Sequence, residues 1–337
     1  MNDPVLSVVV IGRNEGARLE RCLESVAQAR GFTGSAEIIY VDSASSDGSP
    51  DTARAHKAEV IVLDAQKLTA ARARNEGWRR ARAPYILFLD GDTILDAEFP
   101  SRAMNALALD ERIAAVWGHR RELHPERSLY NRVLDLDWIY APGDTEFCGG
   151  DVLMRRRALE EAEGYDPTLI AGEEPELCRR LRHRGYRIVH IDAPMTGHDL
   201  NITRFGQYWK RALRAGHAYA EMATRFRDTP DPMWLQESRT NLVRGLFWIV
   251  SFSVCAVSLG FSVVPFALWL VFFATLSCRS AWRARWKAPG QPVLLLLYGA
   301  HSHFQQVPIF VGQLLFKRHR KSGGQRSLIE YKQGSRL

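Results

Sequence analysis

From Gly245 to Cys278 the chain carries no charged residue. As a single helix this 34-residue run would be ~51 Å long, well beyond the ~30 Å hydrocarbon core of a bilayer. Gly260 and Pro265 stand near its middle, so it is expected to fold back as a transmembrane helical hairpin over residues 242–278. A pair of buried core helices in a soluble protein is the alternative. A second apolar run, Val293–Phe316, is interrupted by His301-Ser302-His303 and Gln305-Gln306. Polar groups at mid-depth are costly in lipid unless they face protein or water. Residues 292–316 therefore read as a re-entrant or interfacial segment.

The net charge of +7 is unevenly placed. Arg279–Leu337 holds eleven Lys/Arg and one acidic residue, Glu330, a charge of +10, which leaves −3 for residues 1–278. A basic excess confined to apolar surroundings points to anionic membrane lipids and not to nucleic acid. Basic clusters (Arg279/Arg283/Arg285/Lys287 and Lys317/Arg318/Arg320/Lys321) flank the apolar runs. With both on the cytoplasmic side, the first run crosses twice, the second does not cross, and 317–337 is a basic cytoplasmic tail. The expected location is the inner (cytoplasmic) membrane, with the N-terminal part in the cytoplasm. Five scattered cysteines without CxxC spacing imply reduced thiols. Met1-Asn2-Asp3-Pro4 lacks the basic start of a cleavable signal.

Residues 5–118 alternate between two periodicities. Strand-like runs at Val5–Ile11, Glu37–Val41, Val60–Leu63, Tyr85–Leu89 and Ile113–Trp117 are separated by helical patterns at Ala17–Ala29, Pro50–Lys57, Leu68–Ala81 and Ala97–Leu109. This order predicts an α/β fold with a mainly parallel sheet and flanking helices. Ligands of such sheets bind beyond the carboxyl ends of the strands. The segments there are Gly12-Arg13-Asn14-Glu15-Gly16, Asp42 to Gly48, and Asp90-Gly91-Asp92, all polar and glycine-bearing. Residues 119–235 are mixed, with strands at Asp151–Met154 and Arg187–Ile191 and a helix at Glu173–Arg184.

Two carboxylates spaced i, i+2 after an apolar strand suit a hard divalent cation that grips a diphosphate. Standing alone, Asp90-Gly91-Asp92 is also what a hydrophilic turn looks like. Three carboxylate- or amide-rich loops on one sheet edge make the binding reading stronger.

The chain resembles the family 2 glycosyltransferases, inverting enzymes of the GT-A fold. The matching stretches are Ser7–Glu15, Tyr40–Ser43 with Ser46–Ser49, Ala73–Gly77, and the strand into Asp90-Gly91-Asp92-Thr93. Further on come Gly149-Gly150 with Arg155-Arg156, Gly164-Tyr165-Asp166 and Gly172 to Leu177. The tail looks like that of membrane-attached members that build bacterial exopolysaccharides. Two departures matter. Where the family often has Glu-Asp, with the aspartate as base, this chain has Glu173-Glu174; the extra methylene moves the carboxylate by roughly 1.5 Å. The Gln-x-x-Arg-Trp signature of processive members is absent, and Gln207-Tyr208-Trp209-Lys210-Arg211 is not that signature.

The resemblance implies roles for individual residues. Glu174 is the expected general base, with Glu173 orienting it or binding the acceptor. Asp92, Asp90 and His198 are the expected ligands of Mg²⁺ or Mn²⁺. Asn14, Glu15, Asp42, Arg74, Asn75 and Asp90 are expected at the nucleotide-sugar. Gly149, Gly150, Arg211 and Arg214 are expected at the acceptor or diphosphate. Bland readings stand beside these: Asn14 and Asp47 as turn builders, Glu173-Glu174-Pro175 as a helix start, and His198 as an ordinary loop histidine. The expected protein is a GT-A catalytic domain over 1–235, with a nucleotide-sugar half (1–118) and an acceptor half (119–235), followed by membrane helices. It would move a sugar from a nucleotide-diphospho-sugar to a lipid-linked saccharide, a polyprenyl-diphosphate carrier, with polyprenyl phosphate as the alternative acceptor. A non-catalytic scaffold that binds nucleotide-sugar is the alternative of another class, motivated by the Glu-for-Asp change.

Overall fold

The computed structural model describes residues 3–65 and 68–321; residues 322–337, most of the expected basic tail, lie outside them. The strands are β1 (Leu6–Gly12), β2 (Ala36–Asp42), β3 (Glu59–Val62), β4 (Tyr85–Asp90), β5 (Thr93–Leu95), β6 (Ile113–Glu122), β7 (Gly143–Thr145), β8 (Val152–Arg155) and β9 (Arg187–His198). The α-helices are α1 (Ala17–Ala27), α2 (Ser49–Ala55), α3 (Ala70–Arg80), α4 (Phe99–Leu109), α5 (Leu129–Asp135), α6 (Arg156–Glu161), α7 (Glu173–His183), α8 (Phe205–Arg225), α9 (Leu235–Ser258), α10 (Val264–Arg283), α11 (Pro292–Phe304) and α12 (Gln306–Lys321). They fall into two compact units, Met1–Leu123 with Trp138–Asp199, and His124–Asp137 with Leu200–Leu337.

The first unit is built on one sheet of order β3-β2-β1-β4-β8-β6-β9-β5, with β7 beside β9. β1 is apolar at nearly every position and buried along its length, as a strand covered by helices on both faces must be. α3 lies so close to it that a Cβ on Gly77 would stand 2.2 Å from Val9 Cγ1. The α/β class expected from the sequence is present. β1, β2, β3 and β4 pair in parallel, as do β6 and β9, but β8 runs antiparallel to both β4 and β6, and β5 and β7 antiparallel to β9. The sheet is therefore mixed, with its longest ladders parallel, through β3-β2-β1-β4 and between β6 and β9.

Two strands are longer than their apolar patterns. β6 continues past Trp117 to Glu122, and β9 past Ile191 to His198. The β6 extension is charged or polar, and the β9 extension opens on Asp192 and carries Pro194, so neither shows a sustained apolar run. They pair with each other through register shifts at Trp117/His119 and His119/Arg120, irregularities that redirect side chains.

In the second unit, α8 packs on α12 at glycines. A Cβ on Gly216 would stand 2.1 Å from the Ile309 carbonyl, and one on Gly312 2.1 Å from the Leu213 carbonyl. The sequence reading placed residues 205–225 in the catalytic domain; here they form α8, whose partners are α12 and α9. The apolar run 293–316 is two helices, α11 and α12. α9 and α10 are long and apolar enough to cross a membrane. Their outward faces are apolar, with Val254, Val257, Leu268 and Val271 all exposed.

Candidate active site

The parallel register aligns the carboxyl ends of three strands: Gly12 of β1 is opposite Asp42 of β2, and Ile11 is opposite Asp90 of β4. The three polar loops therefore meet on one edge. They are also stitched together. The Asn14 amide donates to Ser45 Oγ at 2.9 Å, and Asn14 Oδ1 accepts from the Ser46 amide at 2.8 Å. Asp47 accepts from the Gly16 amide at 2.9 Å and from Ser49 at the start of α2. Asn14 holds a left-handed backbone (φ 54°), a conformation Asn tolerates better than most residues. Both residues thus build turns. Asp42 is fully buried and accepts from Tyr40 Oη at 3.0 Å and from the Ser45 amide at 2.7 Å. Glu15 pairs with Arg18 at 2.8 Å.

Asp90, Asp92 and His198 each place one ligand atom within 4.8 Å of the other two. β5 makes this happen. It pairs with β9, Thr93 opposite His198, and brings the imidazole beside Asp92, with Nε2 3.4 Å from Oδ1. Two carboxylates and an imidazole form a donor set that fits a divalent cation.

The centre of the site is Arg74 on α3, 2% exposed. Nη2 donates to Asp90 Oδ1 at 2.9 Å, and Nη1 donates to Glu173 Oε1 at 3.0 Å and lies 3.2 Å from Glu174 Oε1. The guanidinium expected at the nucleotide-sugar is turned onto three carboxylates. Asn75, expected at the nucleotide-sugar, is buried and spans the Tyr165 backbone, accepting from its amide and donating to its carbonyl, while also accepting from Trp78 Nε1. It holds the 164–166 loop.

Glu173 and Glu174 open α7 behind Gly172, whose φ of 88° suits glycine. Gly150 sits between the two halves of the site. A Cβ there would meet Arg74 Nη2 at 2.4 Å, Asp90 Oδ2 at 3.2 Å and Glu174 Oε1 at 3.3 Å. The longer glutamate therefore does reach the space beside Asp90. Gly149 flanks it, 3.8 Å from Arg120 Nη1 by the same measure. Arg211 and Arg214 belong to the second unit. Both lie on α8, where Arg211 Nη1 faces Asp137 at 3.9 Å.

Burial and the neighbouring Glu173 charge push the Glu174 carboxyl up to about 7, against the pull of Arg74. A base must be deprotonated to act, so turnover is expected to rise with pH through about 7. Glu173→Gln removes a like charge and should move that rise to lower pH, read from the pH profile of kcat. The same sign governs stability. Glu174 holds its proton more tightly folded than unfolded, so its contribution is present at acid pH and is lost as pH rises through about 7.

Three residues here escaped the sequence reading. Asp151, buried, accepts from the Asp90 amide at 3.0 Å and from Thr196 Oγ1 at 2.8 Å. Arg120 lies 3.6 Å from Asp90 Oδ2 and 3.7 Å from Asp151 Oδ2, with its guanidinium 4.7 Å over the Trp138 ring. Trp138 also meets His198 edge-on at 5.0 Å. An aspartate opening the otherwise apolar Val152–Met154, straight after two glycines, was the available signal.

A mixed α/β sheet with flanking helices and Asp-x-Asp at the end of a central strand defines the class of fold, GT-A. The model for glycosyl transferase family 2 matches residues 7–162. Glycosyltransferase AglE of Haloferax volcanii is 22% identical over 223 residues, 63% of this chain and 72% of that one. The poly-β-1,6-N-acetyl-D-glucosamine synthase of Staphylococcus aureus is 25% identical over 192 residues, 53% of this chain and 46% of that one. The chain thus spans about half the length of that relative. In fold it is similar to the mannosyltransferase PcManGT from Pyrobaculum calidifontis, solved in complex with GDP-Man and Mn²⁺. The TM-score is 0.62 at 20% identity, over 88% of this chain and 86% of that one.

Proposed function

We propose that the protein is an inverting, metal-dependent glycosyltransferase attached to the cytoplasmic face of the inner membrane. It transfers a sugar from a nucleotide-diphospho-sugar to a polyprenyl-diphosphate-linked saccharide. The observation that carries this reading is that the Asp90/Asp92/His198 trio and the Glu174 carboxylate face one space across Gly150. Inversion needs one base for the acceptor hydroxyl and an in-line approach to the anomeric carbon. Glu174 supplies that base, with Arg74 fixing the carboxylate in place. Asp42 and the Asn14 loop lie at strand ends where base and ribose bind in sheets of this kind. When bound, Mg²⁺ or Mn²⁺ supplies neutralisation of the leaving diphosphate; the imidazole in the donor set favours Mn²⁺. Arg120, close to Asp90, adds positive charge on the same side. The apolar outward faces of α9 and α10 support membrane attachment, and with it a lipid-borne acceptor.

The test is release of nucleoside diphosphate from UDP-, GDP-, CDP- and dTDP-sugars, with membranes as acceptor source and Mn²⁺, Mg²⁺ or EDTA present. One donor is expected to be consumed, with EDTA abolishing release. Asp92→Asn is expected to raise the metal concentration for half-maximal release by about 10–100-fold. Release that ignores EDTA would overturn the metal assignment.

A further inference from the structure

On the reading that α9 and α10 sit in lipid, we propose that they enter the bilayer from one face only and turn back inside it. The turn Leu259–Val263 then stays in hydrocarbon and never reaches water on the far side. The two crossings expected from the sequence are replaced by a monotopic wedge.

Length is the first reason. Trp269 Nε1 donates to Ser251 Oγ at 3.0 Å, Phe247 faces Phe272, and Phe252 faces Phe266, so the two helices run antiparallel. Arg244 and Arg279 therefore both mark the open end. The uncharged arms, Gly245–Ser258 and Val264–Cys278, are about 21 and 22 Å long. Their bases are covered by other helices of the same unit. A Cβ on Gly245 would stand 2.3 Å from Phe310 Cβ, and Trp248 is buried against His303. On α10, Ser277 packs against Gly299 of α11. Past Trp248 only about 15 Å of α9 projects, about half of a ~30 Å core.

The chemistry of the turn is the second reason. A crossing hairpin places its turn among far-side headgroups. This turn is Leu-Gly-Phe-Ser-Val, with Phe261 91% exposed. Four of its amides donate within the chain. Those of Leu259, Gly260, Phe261 and Ser262 donate to Ala256, Val257, Ser258 and Ser258 carbonyls, and the Val264 amide donates to Ser262 Oγ at 3.2 Å. Amides bonded within the turn suit hydrocarbon, which offers them no other acceptor.

The third reason is that interfacial anchors stand at one end only. Trp282 and Trp286 are exposed at the open end. Arg285 lies 4.4 Å over the Trp282 ring, and Lys287 5.7 Å over the Trp286 ring. A spanning segment carries aromatic and basic anchors at both interfaces. Between Gly245 and Cys278 there is no Lys, Arg, His, Asn, Gln, Asp or Glu, and the turn has neither Trp nor Tyr.

Sided labelling of the full chain in membrane vesicles tests this. Ser262→Cys is compared with Arg285→Cys as near-face marker, using an impermeant maleimide and subtracting wild-type labelling. Position 285 is expected to label from one face. Position 262 is expected to resist labelling from both faces until detergent is added. Labelling of 262 from the face opposite 285 would overturn the wedge in favour of crossing. Labelling of 262 from the same face as 285, with the protein washed off by carbonate, would instead remove the membrane reading itself. Phe261→Lys gives an independent arm. A cation at the turn should release the protein into the carbonate wash if the turn lies in hydrocarbon; undiminished retention would mean that the turn reaches far-side headgroups.

Discussion

Glu174→Gln is expected to lower kcat by about 10²–10⁴-fold while leaving donor affinity unchanged, the range typical of a lost general base. The amide keeps the shape of the side chain and its place beside Arg74 Nη1, 3.2 Å away, but it accepts no proton. The measurement is single-turnover sugar transfer alongside donor titration. Loss of both together would mean that the substitution disturbed the site as a whole. Unchanged cellular function in this variant would instead favour a non-catalytic scaffold, the reading that the Glu-for-Asp difference raised.

Arg74→Met should have the largest effect on stability. Arg74 faces Asp90, Glu173 and Glu174 from a position 2% exposed. Removing it leaves these carboxylates without their cation in a poorly solvated place. Breaking a buried pair from one side costs about 3–5 kcal/mol. Protonation of the orphaned groups relieves part of that cost, so the stability gap to wild type should narrow as pH falls toward about 5. Denaturant titrations at several pH values check both the size and the sign. A gap that is small and independent of pH would show that the three carboxylates do not depend on Arg74.

The Asp90/Asp92/His198 trio shows how far a linear pattern reaches. Asp90 and Asp92 were legible because a strand end fixes both positions within three residues of chain. His198 was a weaker expectation, and β5 brings it beside Asp92 by pairing with the end of β9. The Glu173-Glu174 pair stood out only through resemblance. Helix-opening glutamates look alike whatever they do, and here they open α7 and face Arg74 at once.

Arg74 and Asn75 mark the limit. Their segment lies beside the strand-end carboxylates, but side-chain direction was not in the sequence. Asn75 is spent on the Tyr165 backbone, and Arg74 on three carboxylates drawn from β4 and α7. Arg120 was missed because it lies where β6 stops alternating. Only pairing with β9, with its register shifts, keeps that stretch a strand and presents the guanidinium to Asp90.

The sequence by itself determined the α/β alternation, the polar strand ends, the Asp-x-Asp pair and the uncharged hairpin, because each is a local periodicity or composition of fewer than about forty residues. The tertiary structure alone decided the antiparallel half of the sheet, the Arg74 hub and the partners of Asp90. Those depend on which distant segments pair, and pairing is set by the packing of whole faces, which no single window of sequence contains.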